Sequence, residues 1–200
     1  MIRTLGIAAL IATVVTGPVT GQAEWRLTLD VGATTFSSAA HDTSTPDVNL
    51  RPWRPTTFSL RATRDVGKVG IGMALGLSNG PLAANIDDFV LMDGGNMLLI
   101  EFSPEVRYRL VASNSGVSLH LSAGPLIDVW TPQGDDTRTV FGGIGGLTLS
   151  LPLAGEWLVD VRGDLAVTGS LLTEEEETPA LIRESTMRRG RVALGITRKL

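Results

Sequence analysis

The chain has 200 residues, no cysteine, 23 glycines, 43% hydrophobic and 5% aromatic residues, and a formal charge of −4. That length suits one domain, and the chain is too apolar and too weakly charged to be disordered. Disulfides, thiolate nucleophiles and cysteine zinc sites are excluded, and 17 basic against 21 acidic residues leave no overall bias toward nucleic acid.

Residues 1–23 read as a secretory signal peptide. Arg3 is the positive start, Leu5 to Val15 the apolar run, and Gly21-Gln22-Ala23 the small-x-small cleavage site. The run is too short to span a membrane as a helix. The mature domain is expected over residues 24–200, with no cysteine after the cleavage site to carry a lipid anchor.

The rest of the chain alternates with period two, the signature of half-buried strands. Eight segments carry it: 25–34, 58–63, 69–78, 98–110, 117–130, 141–153, 157–168 and 191–200. Gly, Thr and Val recur inside nearly all of them, which disfavours helix. The connections alternate too. Short turns are expected at Val66-Gly67-Lys68, Ser113–Gly116 and Ala154-Gly155-Glu156. Long polar loops are expected at Ser38–Pro55, Asn79–Asn96, Thr131–Arg138 and Leu171–Thr186. An up-and-down meander then puts every long loop at one end and every short turn at the other.

One face of each strand is uniformly aliphatic. The other mixes small residues with charge of both signs: Arg26, Arg61, Arg107, Arg109, Arg162 and Arg191 against Asp30, Glu101, Glu105, Asp128, Asp160 and Asp164. A soluble barrel turns its charges to water, whereas a membrane barrel turns its apolar face to lipid. Balanced charge suits a narrow interior, where an unpaired ion is costly. Aromatics are expected as two interfacial girdles: Trp25, Tyr108 and Trp157 near the short turns, and Phe36, Phe58 and Phe141 near the long loops.

On this pattern the chain resembles the small eight-stranded outer-membrane barrels of the OmpA transmembrane-domain and OmpX type. The resemblance covers residues 24–200 and rests on architecture, not on a sharp motif. It implies an all-β, antiparallel up-and-down transmembrane barrel with periplasmic termini and extracellular long loops. It also implies insertion by the outer-membrane assembly machinery. Family members usually end on an aromatic residue, whereas this chain ends Ile196-Thr-Arg-Lys-Leu200. No peptidoglycan-binding domain is expected after Leu200.

Chemistry-bearing motifs are few. No G-x-S-x-G elbow, H-E-x-x-H pair or phosphate-loop ending occurs. His120 falls on the inward face; a hydrogen-bonded structural role is favoured over proton transfer near Glu101 or Asp128. His41 and Asp42 lie in the first loop. Gly142–Gly146 reads as a flexible or bulged strand entry, and Gly70, Gly72 and Gly76 as room for long side chains. Glu174–Glu177, Asp87, Asp88, Asp93, Asp135 and Asp136 read as solvated loop charge, with a divalent cation as the alternative. Arg51, Arg54 and Arg183 are candidates for lipid phosphates.

Pro104 and Pro125 interrupt the alternation, and a shared bulge would accommodate them. The expected protein is a non-enzymatic, monomeric, cofactor-free outer-membrane barrel. Its partners are outer-membrane lipids, not nucleic acid, and the sequence names no surface ligand. Its role is envelope integrity, surface interaction or minor permeation of small solutes. The alternatives are an outer-membrane lipid-modifying enzyme and a soluble lipocalin-like carrier with its apolar face inside.

Overall fold

Alternating Leu, Val, Ile, Thr and Gly suit a pleated ladder in which successive side chains take opposite faces. The computed structural model describes residues 23–37, 40–42, 48–86, 89–132, 137–169, 182–184 and 186–200. These contain strands and no helix. They are β1 (Ala23–Phe36), β2 (Ala40–Asp42), β3 (Val48–Pro52), β4 (Thr56–Val66), β5 (Val69–Ile86) and β6 (Phe89–Ala112). Then follow β7 (Ser118–Pro132), β8 (Arg138–Ala154), β9 (Trp157–Thr168), β10 (Ile182–Glu184) and β11 (Met187–Lys199).

Eight of these close a barrel in the order β1, β4, β5, β6, β7, β8, β9, β11, every neighbour antiparallel. Closure comes from β1 and β11, paired from Arg26↔Lys199 to Phe36↔Arg189. It leaves the wall without a free edge, as lipid requires of a spanning sheet.

Glycines set the tight turns. Gly67 (φ 63°) and Gly155 (φ 54°) each stand first in a two-residue turn, closed by Val66↔Val69 and Ala154↔Trp157. Positive φ at that position is the hairpin geometry that matches strand twist. Gly116 (φ 85°) turns the chain between β6 and β7. All three turns lie at one end, called here the turn end; the opposite end is the loop end.

The loop end departs from expectation. Asn79–Asn96 is not a loop: β5 and β6 stay paired out to Ile86↔Phe89, with a register shift between Pro81 and Ala83. Within the expected loop Ser38–Pro55 lie β2 and β3. A second tier of sheet runs β10, β2, β3, β5 and β6. The backbone ladder continues here although the apolar alternation has stopped.

The two prolines are accommodated without a bulge. Pairing of β6 with β7 lapses between Phe102↔Ile127 and Val106↔Ala123 but resumes in the same register; the shift lies nearer the turn, between Arg109 and Val111. That register sets Pro104 opposite Pro125, so both missing N–H groups fall on one seam. Ser103 Oγ donates to the Pro125 carbonyl at 3.0 Å. A Cβ at Gly124 would collide with the Pro104 carbonyl. Glycine therefore lets the strands pinch together where the ladder is missing.

Gly142–Gly146 is also regular. It pairs without interruption with both β7 and β9. A Cβ at Gly146 would strike Asp164, and one at Gly142 the Val167 carbonyl. These glycines make room; they do not bend the strand.

The expected signal segment up to residue 22 lies outside the described residues, as do Asp87, Asp88, Asp135, Asp136 and Glu174–Glu177. The side chains of His41, Asp42, Asp93 and Arg183 lie outside them too.

Candidate functional site

Every barrel strand turns its polar parity inward. In β1, Arg26, Thr28, Asp30 and Thr34 are buried, whereas Trp25, Leu27, Leu29 and Val31 face out. The same holds in β5, where Met73, Leu75 and Leu77 are half exposed, and in β11, where Val192, Leu194 and Ile196 are. A coat of large aliphatic side chains around the wall far exceeds the patches that soluble monomers expose. It is the inversion expected of a lipid-facing wall. The soluble carrier, which needs its apolar face inside, does not fit.

The interior is filled in layers. At the loop end Phe36 (β1), Leu99 (β6), Trp130 (β7) and Met187 (β11) form a buried apolar plug, with Met97 and Val140 packed against it. Phe36 meets Trp130 edge to face at 5.6 Å. Phe36 is therefore not an interfacial aromatic, contrary to expectation. It is 4% exposed because it holds the even, inward parity of β1. Phe58 and Phe141, at the same end, do face out, as do Trp25, Tyr108 and Trp157 at the turn end.

Beneath the plug, four arginines and four carboxylates alternate in one chain of contacts. Asp128 Oδ2 meets Arg189 Nη1 at 3.1 Å, and Arg189 Nη2 closes on Glu101. Glu101 Oε2 meets Arg191 Nη1 at 3.1 Å; Arg191 Nε and Nη2 donate to Asp164 Oδ2 at 3.0 and 2.8 Å. Asp164 Oδ1 accepts from Arg162 Nε at 2.6 Å. Arg162 Nη2 reaches Glu105 Oε1 at 3.0 Å, and Arg61 Nε lies 3.4 Å from Glu105 Oε2. The charges come from β4, β6, β7, β9 and β11, so the chain ties opposite walls together. Charge-assisted bonds of this kind are about twice as strong as neutral ones. Asp30 accepts from Ser59 beside this network. Leu126, Ile144 and Ala166 fill the remaining space. The cavity between Ala74, Glu101, Glu105, Ile144 and Arg191 measures about 10 Å³, roughly one water.

The turn-end half is looser. Arg26 Nε lies 2.7 Å from Glu24 Oε1 and 3.2 Å from Asp65 Oδ2. Thr28, Thr197 and Asp160 Oδ2 form a relay with steps of 2.6 Å. Arg107 Nε and Nη2 and Arg26 Nη1 are buried without a hydrogen-bond partner, as Arg61 Nη2 and Asp128 Oδ1 are in the other half, and His120 lies against the Thr148 backbone. His120 sits opposite Arg109 and Thr148, not beside Glu101 or Asp128, which pair with each other. Its charged neighbours are Arg107, Arg26 and Arg109. Arg109 is corrected as well. The register shift beside it leaves its side chain half-buried at the turn-end rim, where it donates to the Gly67 carbonyl.

Two interior charges escaped the sequence reading, Arg189 and Asp65, 6% and 5% exposed. Each lies past the last apolar residue used to define its strand; extending the parity two residues finds both. Arg51 and Arg54 stack on Trp53, at 5.3 and 5.0 Å. Among the described residues no group of three or more His, Asp or Glu side chains is arranged to hold a metal ion.

No protein-family model matches the chain, and no curated protein is significantly similar to it in sequence. Solved structures do match in fold. Neisserial surface protein A superposes with a TM-score of 0.63 at 12% identity, covering 88% of this chain and 97% of that one. OprG of Pseudomonas aeruginosa gives 0.62 at 9% identity, covering 90% and 97%. Ail, the attachment invasion locus protein of Yersinia pestis, gives 0.53 at 11%, covering 89% and 99%. Taken with the closed barrel and its inverted faces, these matches give the chain the fold of the small eight-stranded outer-membrane β-barrels.

Proposed function

We propose that the protein is an integral, monomeric outer-membrane barrel that conducts no large solute and catalyses no reaction. It acts as a closed scaffold that presents its loop-end sheet to the cell exterior. The termini and short turns lie in the periplasm. One observation carries this reading: the loop-end half of the interior is filled, by an apolar plug over an alternating chain of eight charges around a cavity of about 10 Å³, room for roughly one water. Eight strands enclose a lumen just wide enough for side chains to occupy. The features left to carry function are therefore the lipid face and the second tier of β2, β3, β10 and the β5–β6 extension. Surface interaction through that tier is supported in kind by the same scaffold in Ail, whose structure holds the heparin analogue sucrose octasulfate.

The test is reconstitution in planar bilayers with epitope tagging of whole cells. The expected result is no stable open-channel steps. A tag within residues 172–180 should be labelled on intact cells, and a tag at Gly67-Lys68 only after permeabilisation. Stable porin-like steps, or surface labelling at Gly67-Lys68, would contradict the proposal.

A further inference from the structure

Over the seam of β1 and β11 a groove of about 840 Å³ opens on the outward face. Leu27, Leu29, Phe58, Leu60, Leu194 and Ile196 line it, and Trp157 and Arg198 stand at its turn end. From Leu27 to Val31 it follows β1 for about 13 Å, close to the thickness of one leaflet's hydrocarbon, about 15 Å.

The headgroup end of this groove is cationic. Arg198 stacks on Trp157 at 5.7 Å, and Arg64 stacks on Trp25 at 5.8 Å. Trp25 pairs with Arg64 across β1–β4, and Leu27 pairs with Arg198 across β1–β11. The two arginines are therefore anchored on the strands either side of β1, about 12 Å apart at Cα by strand spacing and rise, and both side chains are long enough to reach one phosphate between them once Arg198 swings from Trp157 toward β1. Among the described residues neither forms an ion pair, whereas every arginine of the interior chain has a carboxylate. On the opposite wall, the outward positions at the same end are Tyr108, Leu110, Leu151 and Leu153. These wall positions carry no charge, and the cations nearby, Lys68 and Arg109, sit in the turn and at its rim with no indole contact among the described residues. An apolar slot one leaflet long, ending in two uncompensated guanidiniums held by indole rings, is complementary to a lipid with a negative headgroup.

We propose that this groove is a binding site for an anionic phospholipid of the turn-end leaflet. One acyl chain lies along the β1–β11 seam, and the phosphate is held by Arg198 and Arg64. The proposal rests on the membrane reading above. It makes β1–β11, the seam that closes the barrel, the one that a specific lipid covers.

The experiment is native mass spectrometry of the full barrel, purified from membranes in detergent. It is titrated with phosphatidylglycerol or phosphatidylcholine of identical chains. At about fivefold per basic residue, the barrel should retain one phosphatidylglycerol roughly 25-fold in preference to phosphatidylcholine. R198Q should cut the preference about fivefold, and R64Q/R198Q should abolish it, with folding checked by heat-dependent gel mobility. Leu29→Trp, which fills the slot, should lower retention of both lipids. Equal retention of the two lipids by the unaltered barrel would overturn the proposal. So would an undiminished preference in R64Q/R198Q, or unchanged retention in Leu29→Trp. Failure of the membrane reading would show separately, as a protein that carbonate washes from the membrane.

Discussion

The two halves of the barrel interior solve the same problem differently. Toward the loop end, Arg61, Arg162, Arg189 and Arg191 alternate with Glu101, Glu105, Asp128 and Asp164, and an apolar plug lies above them. Toward the turn end no such alternating chain forms among the described residues: Arg26 reaches Glu24 and Asp65, and Thr28, Thr197 and Asp160 make a short relay, while buried polar atoms without a hydrogen-bond partner occur in both halves. A buried ion becomes a liability when its partner is removed. Mutational sensitivity should therefore concentrate in the loop-end half. The turn-end half should tolerate change, because half-exposed Glu24 and the nearby rim offer alternatives.

The largest expected effect tests this contrast directly. Asp164→Ala leaves Arg162 only Glu105 and Arg191 only Glu101, so four buried arginines share three buried carboxylates with no exposed substitute, which should cost about 3–5 kcal/mol in urea unfolding of the reconstituted barrel. Asp65→Ala leaves Arg26 its contact with Glu24 and should cost clearly less. Equal losses would erase the distinction between the halves. Next, Leu75→Arg places a charge on the outward face of β5, at about 2–4 kcal/mol near the bilayer midplane. A neutral result would mean that this face meets no lipid.

A glycine pair on adjacent strands separates inside from outside more finely. Gly146→Ala drives a methyl group against Asp164 and the Gly163 carbonyl, at about 1–3 kcal/mol. At Gly163 no atom lies within 4 Å of an added Cβ. Gly163→Ala should therefore be neutral or slightly stabilising in the same unfolding assay, since Ala is favoured over Gly inside a strand by about 0.5–1 kcal/mol. The smallest effect belongs to His120→Leu. Its ring has at most one weak contact to lose, with the Thr148 backbone, so stability should stay within about 1 kcal/mol and the cell's lipid A pattern should not change. A large loss, or an altered lipid pattern, would restore the enzyme reading for this residue.

The parts of this structure visible in the sequence are those that lipid constrains. Each spanning strand must carry an apolar face, so Trp25-Leu27-Leu29-Val31 and Met73-Leu75-Leu77 announce themselves by parity. The interior arginines and carboxylates follow from the same parity. Where the constraint stops, legibility stops. Beyond Asn79 the β5–β6 ladder continues as hydrogen-bonded backbone with no lipid to dictate an apolar face, so it reads as loop. Arg189 lies in that fading margin, and Asp65 in its counterpart at the turn end. Phe36 departs from expectation for a different reason: its residue class points to the interface and its parity to the lumen, and an aromatic can plug a lumen as well as float at an interface. The proline seam depended on register, which period-two patterning leaves open. The matching register of Pro104 and Pro125 emerges only once the β6–β7 turn is fixed.

The central claim is that the apolar face meets lipid and the charged face is enclosed. It is tested most directly by gel mobility, with and without boiling, of the protein in an isolated outer-membrane fraction. The account predicts a detergent-resistant folded form that changes mobility only on heating and stays with the membrane through carbonate washing. Identical migration before and after boiling, with the protein in the soluble fraction, would contradict it.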